Sequence, residues 1–291
     1  DSSTVSFRSL KSMKASQQHA AIAAGQLGIF LSEYLEKTFS LPEHNLPDFR
    51  GCNDVEAVAE SLRQSWGLGN KSIQNMIHLL ESKGVRVFSL AENTIDVDAF
   101  SFWKGRTPYV FLNTKKSAER SRFDAAHELG HLLLHKHGSP TGKDVEREAD
   151  AFASAFLVPA ISLIECLPKF VTLPSLIKLK RNWSVSLVSL IYRLYKLNLV
   201  TEWQYRTLMI EASQKGYRKT EPGPCAHETS LLFEKVIPAL KSRGIGLLSL
   251  AKELKLPLEE LTNLMFRFSI VSSNPNVKSS GKSKGHLRVV S

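Results

Sequence analysis

The sequence predicts an α+β protein: a mixed domain with a small antiparallel sheet, followed by an all-α region with the outline of a helix-turn-helix. Three observations carry this. Between residues 85 and 113, β-branched and aromatic residues cluster in short runs. On both sides apolar residues recur at helical spacing, and from Leu173 onward the chain reads only as helix. Charge divides the chain as well. Residues 1–160 hold 18 Lys/Arg against 19 Asp/Glu, whereas residues 161–291 hold 20 against 9.

The polar opening, Asp1 to Ser6, reads as a tether, and a start at Asp1 rather than Met suggests a fragment or processed product. Ser16 to Lys37 is expected as a helix, with Leu27, Phe30, Leu31 and Tyr34 on one face. Two prolines make Pro42 to Gly51 a loop. Asp54 is a plausible N-cap for a helix to Trp66, and a further helix from Ser72 to Lys83 is stopped by Gly84. Strands follow at Val85 to Leu90, Ile95 to Trp103 and Pro108 to Asn113, the last two joined by a turn at Lys104-Gly105-Arg106. Ser117 to His137 returns to helix. A polar turn, Gly138 to Gly142, leads to a helix from Asp144 to Leu157, ended by Pro159.

Leu173 to Trp183, Ser186 to Leu197 and Thr201 to Lys215 form one helical group, and Gly216 to Ala226 reads as a linker. Glu228 to Ser242 (kinked at Pro238), Leu247 to Leu254 and Leu258 to Phe266 form a second. Val271 to Ser291 has four Lys/Arg and no acid, and reads as a disordered basic tail. The expected division is therefore 1–52 an N-terminal helical segment, 53–165 the mixed domain, 166–216 a helix-turn-helix-like domain, 217–270 a second helical group and 271–291 the tail.

With 43% hydrophobic and 23% charged residues, the chain is neither collagen, rod nor wholly disordered. No apolar run approaches the roughly 18 residues of a membrane span. The best, Ala20 to Leu31, is broken by Gln26 and fits an amphipathic helix better than a signal peptide. Cys52, Cys166 and Cys225 form no C-x-x-C pair, which points to a reducing cytoplasm rather than a disulfide framework or thiolate metal site.

The chemical signal is His127-Glu128-Leu129-Gly130-His131, an H-E-x-x-H run inside a helix. Residues four apart stand one turn apart on one face, so two imidazole nitrogens can converge on one ion at about 2.0–2.1 Å. Glu128 then lies beside the ion, placed to take a proton from water and return it to a leaving amine. With 9 His and 20 Glu in the chain, chance produces such a run in roughly 2% of comparable sequences. An ordinary surface helix is the competing reading, and the next helix argues against it. Glu146 can complete a His₂Glu set, and Asp150, on the same face, can accept a hydrogen bond from the far nitrogen of a ligand histidine. Glu148 points away from Glu146 on a helical wheel, and Asp144 is better placed as a cap. His135 shares the histidine face but cannot close a tetrahedron with the other two, so it is expected beside the ligands or facing solvent. Candidate oxyanion donors are Tyr109, His135, His137 and Arg122. The strand Val97 to Trp103 or its neighbour is a candidate edge for an extended substrate.

Two runs, Ser121 to His135 and Glu146 to Pro159, closely resemble the ImmA/IrrE family of bacterial and phage metallopeptidases, and the resemblance spans about Asp54 to Pro159. It implies a thermolysin-like, gluzincin-type peptidase domain holding one zinc ion, with His127, His131 and Glu146 as ligands and Glu128 as general base. It also implies cleavage of a helix-turn-helix transcriptional repressor, releasing genes for stress response, mobile-element transfer or phage defence. Two departures stand out. The Xre-type DNA-binding domain that precedes the peptidase in longer members is expected to be missing, and Asp150 stands where the family often has Asn. No GAF-like sensor is expected in the helical residues after Gly216.

The basic half permits a second reading, a DNA-binding regulator or antitoxin with a structural or vestigial metal site. In the first helical group Lys178, Lys180 and Arg181 could meet phosphates, and Ser186, Ser189 and Arg193 could reach a groove. Lys252 and Lys255 repeat the outline. A solvated basic surface or a docking scaffold explains the same charges. The expected partners are a protein substrate, DNA through the basic half and a second copy of the chain, with no membrane.

Overall fold

A computed structural model describes residues 15–90, 97–135, 142–267 and 288–289. In chain order its helices are α1 (Ala15–Thr38), α2 (Val55–Ser65), α3 (Met76–Ser82), α4 (Ala118–Leu134), α5 (Lys143–Leu157) and α6 (Ala160–Cys166). They continue with α7 (Leu173–Leu179), α8 (Leu187–Lys196), α9 (Glu202–Gln214), α10 (Leu231–Ser242), α11 (Leu247–Glu253) and α12 (Leu258–Leu264). The strands are β1 (Phe39–Ser40), β2 (Arg86–Ser89), β3 (Ala99–Lys104), β4 (Thr107–Leu112) and β5 (Arg288–Val289). Among the described residues no single helix is long and apolar enough to cross a membrane.

The chain forms two compact units that do not follow its order: residues 1–46, 77–115 and 229–291 make one, and 47–76 with 116–228 the other. The consecutive segments expected from the sequence are thus interleaved, since contacts between distant stretches decide which elements share a core.

In the first unit β4 lies between β2 and β3. The turn at Gly105 (φ +59°) makes β3 and β4 an antiparallel hairpin, with Phe100 opposite Phe111. The pairing of β2 with β4 is parallel, Val87 opposite Val110, so the sheet is mixed and not antiparallel throughout. The reason is order: β3 takes the far edge, and the chain returning from the hairpin fills the centre running the same way as β2. Phe88, Phe100, Phe102, Tyr109 and Phe111 form a stack of buried rings on this sheet. Helix α1 approaches it at Gly28, where a Cβ would stand 2.5 Å from the Phe111 ring. Arg288 and Val289 of the expected disordered tail pair with β1 as β5, in the tail's one β-branched apolar run. The rest of that tail, the tether at Asp1 to Ser6 and most of the Gly138–Gly142 turn lie outside the described residues.

Glu81, in α3, is buried here against the start of α10. It accepts the Ser230 hydroxyl and, at 3.0 Å each, the backbone N–H groups of Leu231 and Leu232, closing the helix N-terminus. Burial pushes its pKa up to about 7, against the pull of those three hydrogen bonds. An acid with a folded pKa above its unfolded value stabilises the fold at low pH, and that contribution fades as pH rises from about 4.5 to 7. Urea titrations should therefore show the wild type losing on the order of 2–3 kcal/mol relative to Glu81→Gln between pH 5 and pH 8. A constant gap across that range would refute the shifted titration.

The second unit holds α2 and α4–α9. Asp54 caps α2, its side chain accepting from the Ala57 N–H, and Ser117 caps α4 in the same way. Helices α4 and α5 meet at Gly130, where a Cβ would lie 3.0 Å from the Phe152 ring and 3.4 Å from Ala149 Cα. That close approach brings the acidic start of α5 to the histidine face of α4. Beneath it pack Leu129, Leu133, Phe152 and Phe156, the last edge-on to Trp66. Pro159 ends α5 and also serves as the N-cap of α6, a seven-residue helix that periodicity did not signal. Helix α7 runs into a 3-10 turn at Lys180–Asn182, Ser184 turns with φ +52°, and Ser186 caps α8.

Candidate metal centre

His127 and His131 leave α4 one turn apart, and their Nε2 atoms lie 3.0 Å from each other. From the first turn of α5, Glu146 places Oε2 at 3.3 Å from His127 Nε2 and Oε1 at 3.7 Å from His131 Nε2. These three residues form the group whose donor atoms could hold a metal ion. Four donors bound tetrahedrally at about 2.05 Å stand roughly 3.3–3.4 Å apart, so the spacing of this triangle suits one zinc-sized ion. The donor chemistry agrees. A carboxylate only accepts, so Asp150 Oδ1, at 2.9 Å, accepts a hydrogen bond from His127 Nδ1–H, and the lone pair of the neutral ring is then the one on Nε2. Lone pairs and a carboxylate facing a common point repel unless a cation sits among them.

Titration reports the same demand for positive charge. Burial disfavours the charged form of His127, yet hydrogen bonds to Asp150 and Glu146 and the charge of Glu128 outweigh it and raise its pKa to about 10. The imidazoles of His127 and His131, facing its two oxygens, hold the Glu146 carboxyl far below the usual carboxylate range. The Glu146 side chain is 58% exposed, so solvent reaches the centre from the α5 side. Glu128, only 4% exposed, sits next in the chain to His127, and its negative charge is felt there.

His135, at the C-terminus of α4, lies beside the ligands: its Nδ1 is 3.1 Å from His131 Nδ1. Its Nε2 is 2.8 Å from Glu148 Oε2. Burial lowers the His135 pKa against the pull of Glu148. Sequence reasoning missed Glu148, because a helical wheel asks which residues reach the point that Glu146 reaches, and His135 occupies a different one. The signal available was His135 itself, four residues beyond His131.

Several of the remaining candidates are engaged with partners of their own. Tyr109 belongs to the first unit, stacked between Phe88 and Phe102 with its hydroxyl bonded to Ser32. The candidate substrate edge, β3, also belongs to that unit. Arg122 is buried and committed to Glu228 and to the Ile73 carbonyl. His137 lies outside the described residues. Of the four cations put forward for DNA in the first helical group, two are spent inside the fold. The Lys180 ammonium is 3.1 Å from both Glu119 and Glu221, and Arg193 bonds Glu56 and, at 3.0 Å, the Val158 carbonyl. Arg181 is exposed, as is Lys178. Buried, paired cations have nothing to offer a phosphate, so two of the helix-turn-helix contacts drop out.

Two imidazoles and a carboxylate converging from adjacent helices, with a buried glutamate alongside, are the working parts of a metallopeptidase. Residues 80–195 match the family model of Peptidase_M78, the IrrE N-terminal-like domain. No curated protein matches the chain.

Proposed function

We propose that the protein is a zinc-dependent endopeptidase acting on a protein regulator, with a helix-turn-helix repressor as the substrate class that the family resemblance implies. The observation that carries this reading is the triangle of His127, His131 and Glu146 donors, sized for one small divalent ion. A zinc ion bound there supplies Lewis acidity for a peptide carbonyl and lowers the pKa of water. The chain's own residues do the rest. Asp150 keeps His127 in one tautomer. Glu128, buried beside the ligands, accepts the proton of the attacking water and returns it to the departing amine.

The purified chain should bind one zinc per molecule, and His127→Ala or Glu146→Ala should reduce this to a small fraction with the fold retained by circular dichroism. Incubation with helix-turn-helix repressors of the same organism should cut one of them at a discrete bond, with cleavage abolished by chelation and restored by zinc. Stoichiometric zinc in the Glu146→Ala variant, or cleavage that survives complete metal removal, would overturn the assignment.

A further inference from the structure

Helix α5 presents Glu146, Glu148 and Asp150 to α4, and each meets a histidine differently. Glu146 faces the Nε2 atoms of His127 and His131, and Asp150 meets His127 Nδ1. Glu148 touches neither ligand. Two hydrogen bonds in series, 2.8 Å from Glu148 Oε2 to His135 Nε2 and 3.1 Å from His135 Nδ1 to His131 Nδ1, lead from it to the back of His131.

Two neutral ring nitrogens at that separation share one proton, and its side is decided at the far ends of the chain. The Glu148 carboxylate is an acceptor only, so His135 must carry its proton on Nε2. His135 Nδ1 is then a lone pair and accepts the proton on His131 Nδ1. That leaves His131 Nε2 bare, and this is the nitrogen directed at the other two donors. Run the opposite way, the chain would put a proton on His131 Nε2, and a protonated nitrogen cannot ligate.

We infer that Glu148, acting through His135, is a positioning residue that holds His131 in the tautomer ready for metal. The inference rests on the reading of His127, His131 and Glu146 as a metal centre. It assigns to one helix a candidate ligand and the two acids that set both imidazoles, one directly and one by relay. A loss of α5 register would disable all three together.

The first test needs neither metal nor hydrolysis. Long-range nitrogen–proton NMR of the metal-free, full-length chain with labelled histidine, at pH 8, should show His131 protonated on Nδ1 and His135 on Nε2. In Glu148→Gln the amide can donate as well as accept, so both tautomers of His135 and His131 should appear. Zinc affinity, measured by competition with a chelator, should fall about 10-fold in Glu148→Gln and about 10–100-fold in His135→Phe, with Glu148→Asp recovering part of the loss. Glu148 is more than half exposed, so its substitution spares the fold. A wild-type His131 protonated on Nε2, or Glu148→Gln binding zinc as tightly as wild type, would overturn the inference alone. A wild-type chain that binds no zinc would instead overturn the metal centre on which it stands.

Discussion

Replacing Glu128 with Gln should leave zinc stoichiometry and substrate KM within about twofold of wild type while lowering kcat by about 10²–10⁴-fold, the usual contribution of a positioned general base. The amide keeps the shape of the side chain, so the buried position beside His127 is still filled. What disappears is the basic oxygen pair. His127 loses a negative neighbour, but its two stronger partners, Asp150 and Glu146, stay in place, and metal binding persists. The split between kcat and KM separates this from misfolding, which would lower the active fraction together with the zinc content. Wild-type turnover in Glu128→Gln would remove Glu128 from the mechanism.

The candidate centre was readable because its logic is local. Four-residue spacing puts His127 and His131 on one face of any helix, and the same rule relates Glu146 to Asp150. Only one non-local fact was required, that α5 folds against α4, and the short interval between the two runs together with the small side of α4 at Gly130 makes that contact natural. Elements whose character depends on distant partners were not readable. The direction of β2 depends on which strand takes the place beside it, and pairing with β4 in parallel leaves no mark on the sequence of either. Nothing local assigns α1, the sheet and α10–α12 to one unit either. Glu81 receives the start of α10 from about 150 residues away, a partnership invisible until the chain is folded. The basic half misled for a related reason. Counting charges measures how many cations a segment owns, but Lys180 and Arg193 find their acids in α4, in the strap at Glu221 and before α2's first turn closes at Glu56.

That consumption of charge leads to a large effect on stability. Lys180→Met should destabilise the chain by about 3–5 kcal/mol at pH 8, far more than loss of a surface lysine. Lys180 is 1% exposed, and its ammonium is shared between Glu119 and Glu221. The Glu119 oxygen also accepts the Cys225 N–H, and that of Glu221 accepts the Leu187 N–H at the start of α8, so neither acid can swing out to water without breaking a second bond. Methionine fills much the same volume but leaves both carboxylates uncompensated. Burial already raises the Glu221 pKa while the lysine pulls the other way, and without that cation it should rise further. An acid raised in the folded state destabilises progressively as pH climbs through the interval between its unfolded and folded values. The deficit should accordingly be small near pH 4–5 and complete by pH 8 in paired urea titrations. Adding Glu119→Gln to Lys180→Met should recover part of it by removing one of the stranded charges. A deficit independent of pH, or a double variant no better than the single, would mean that Lys180 contributes through packing and not through its charge.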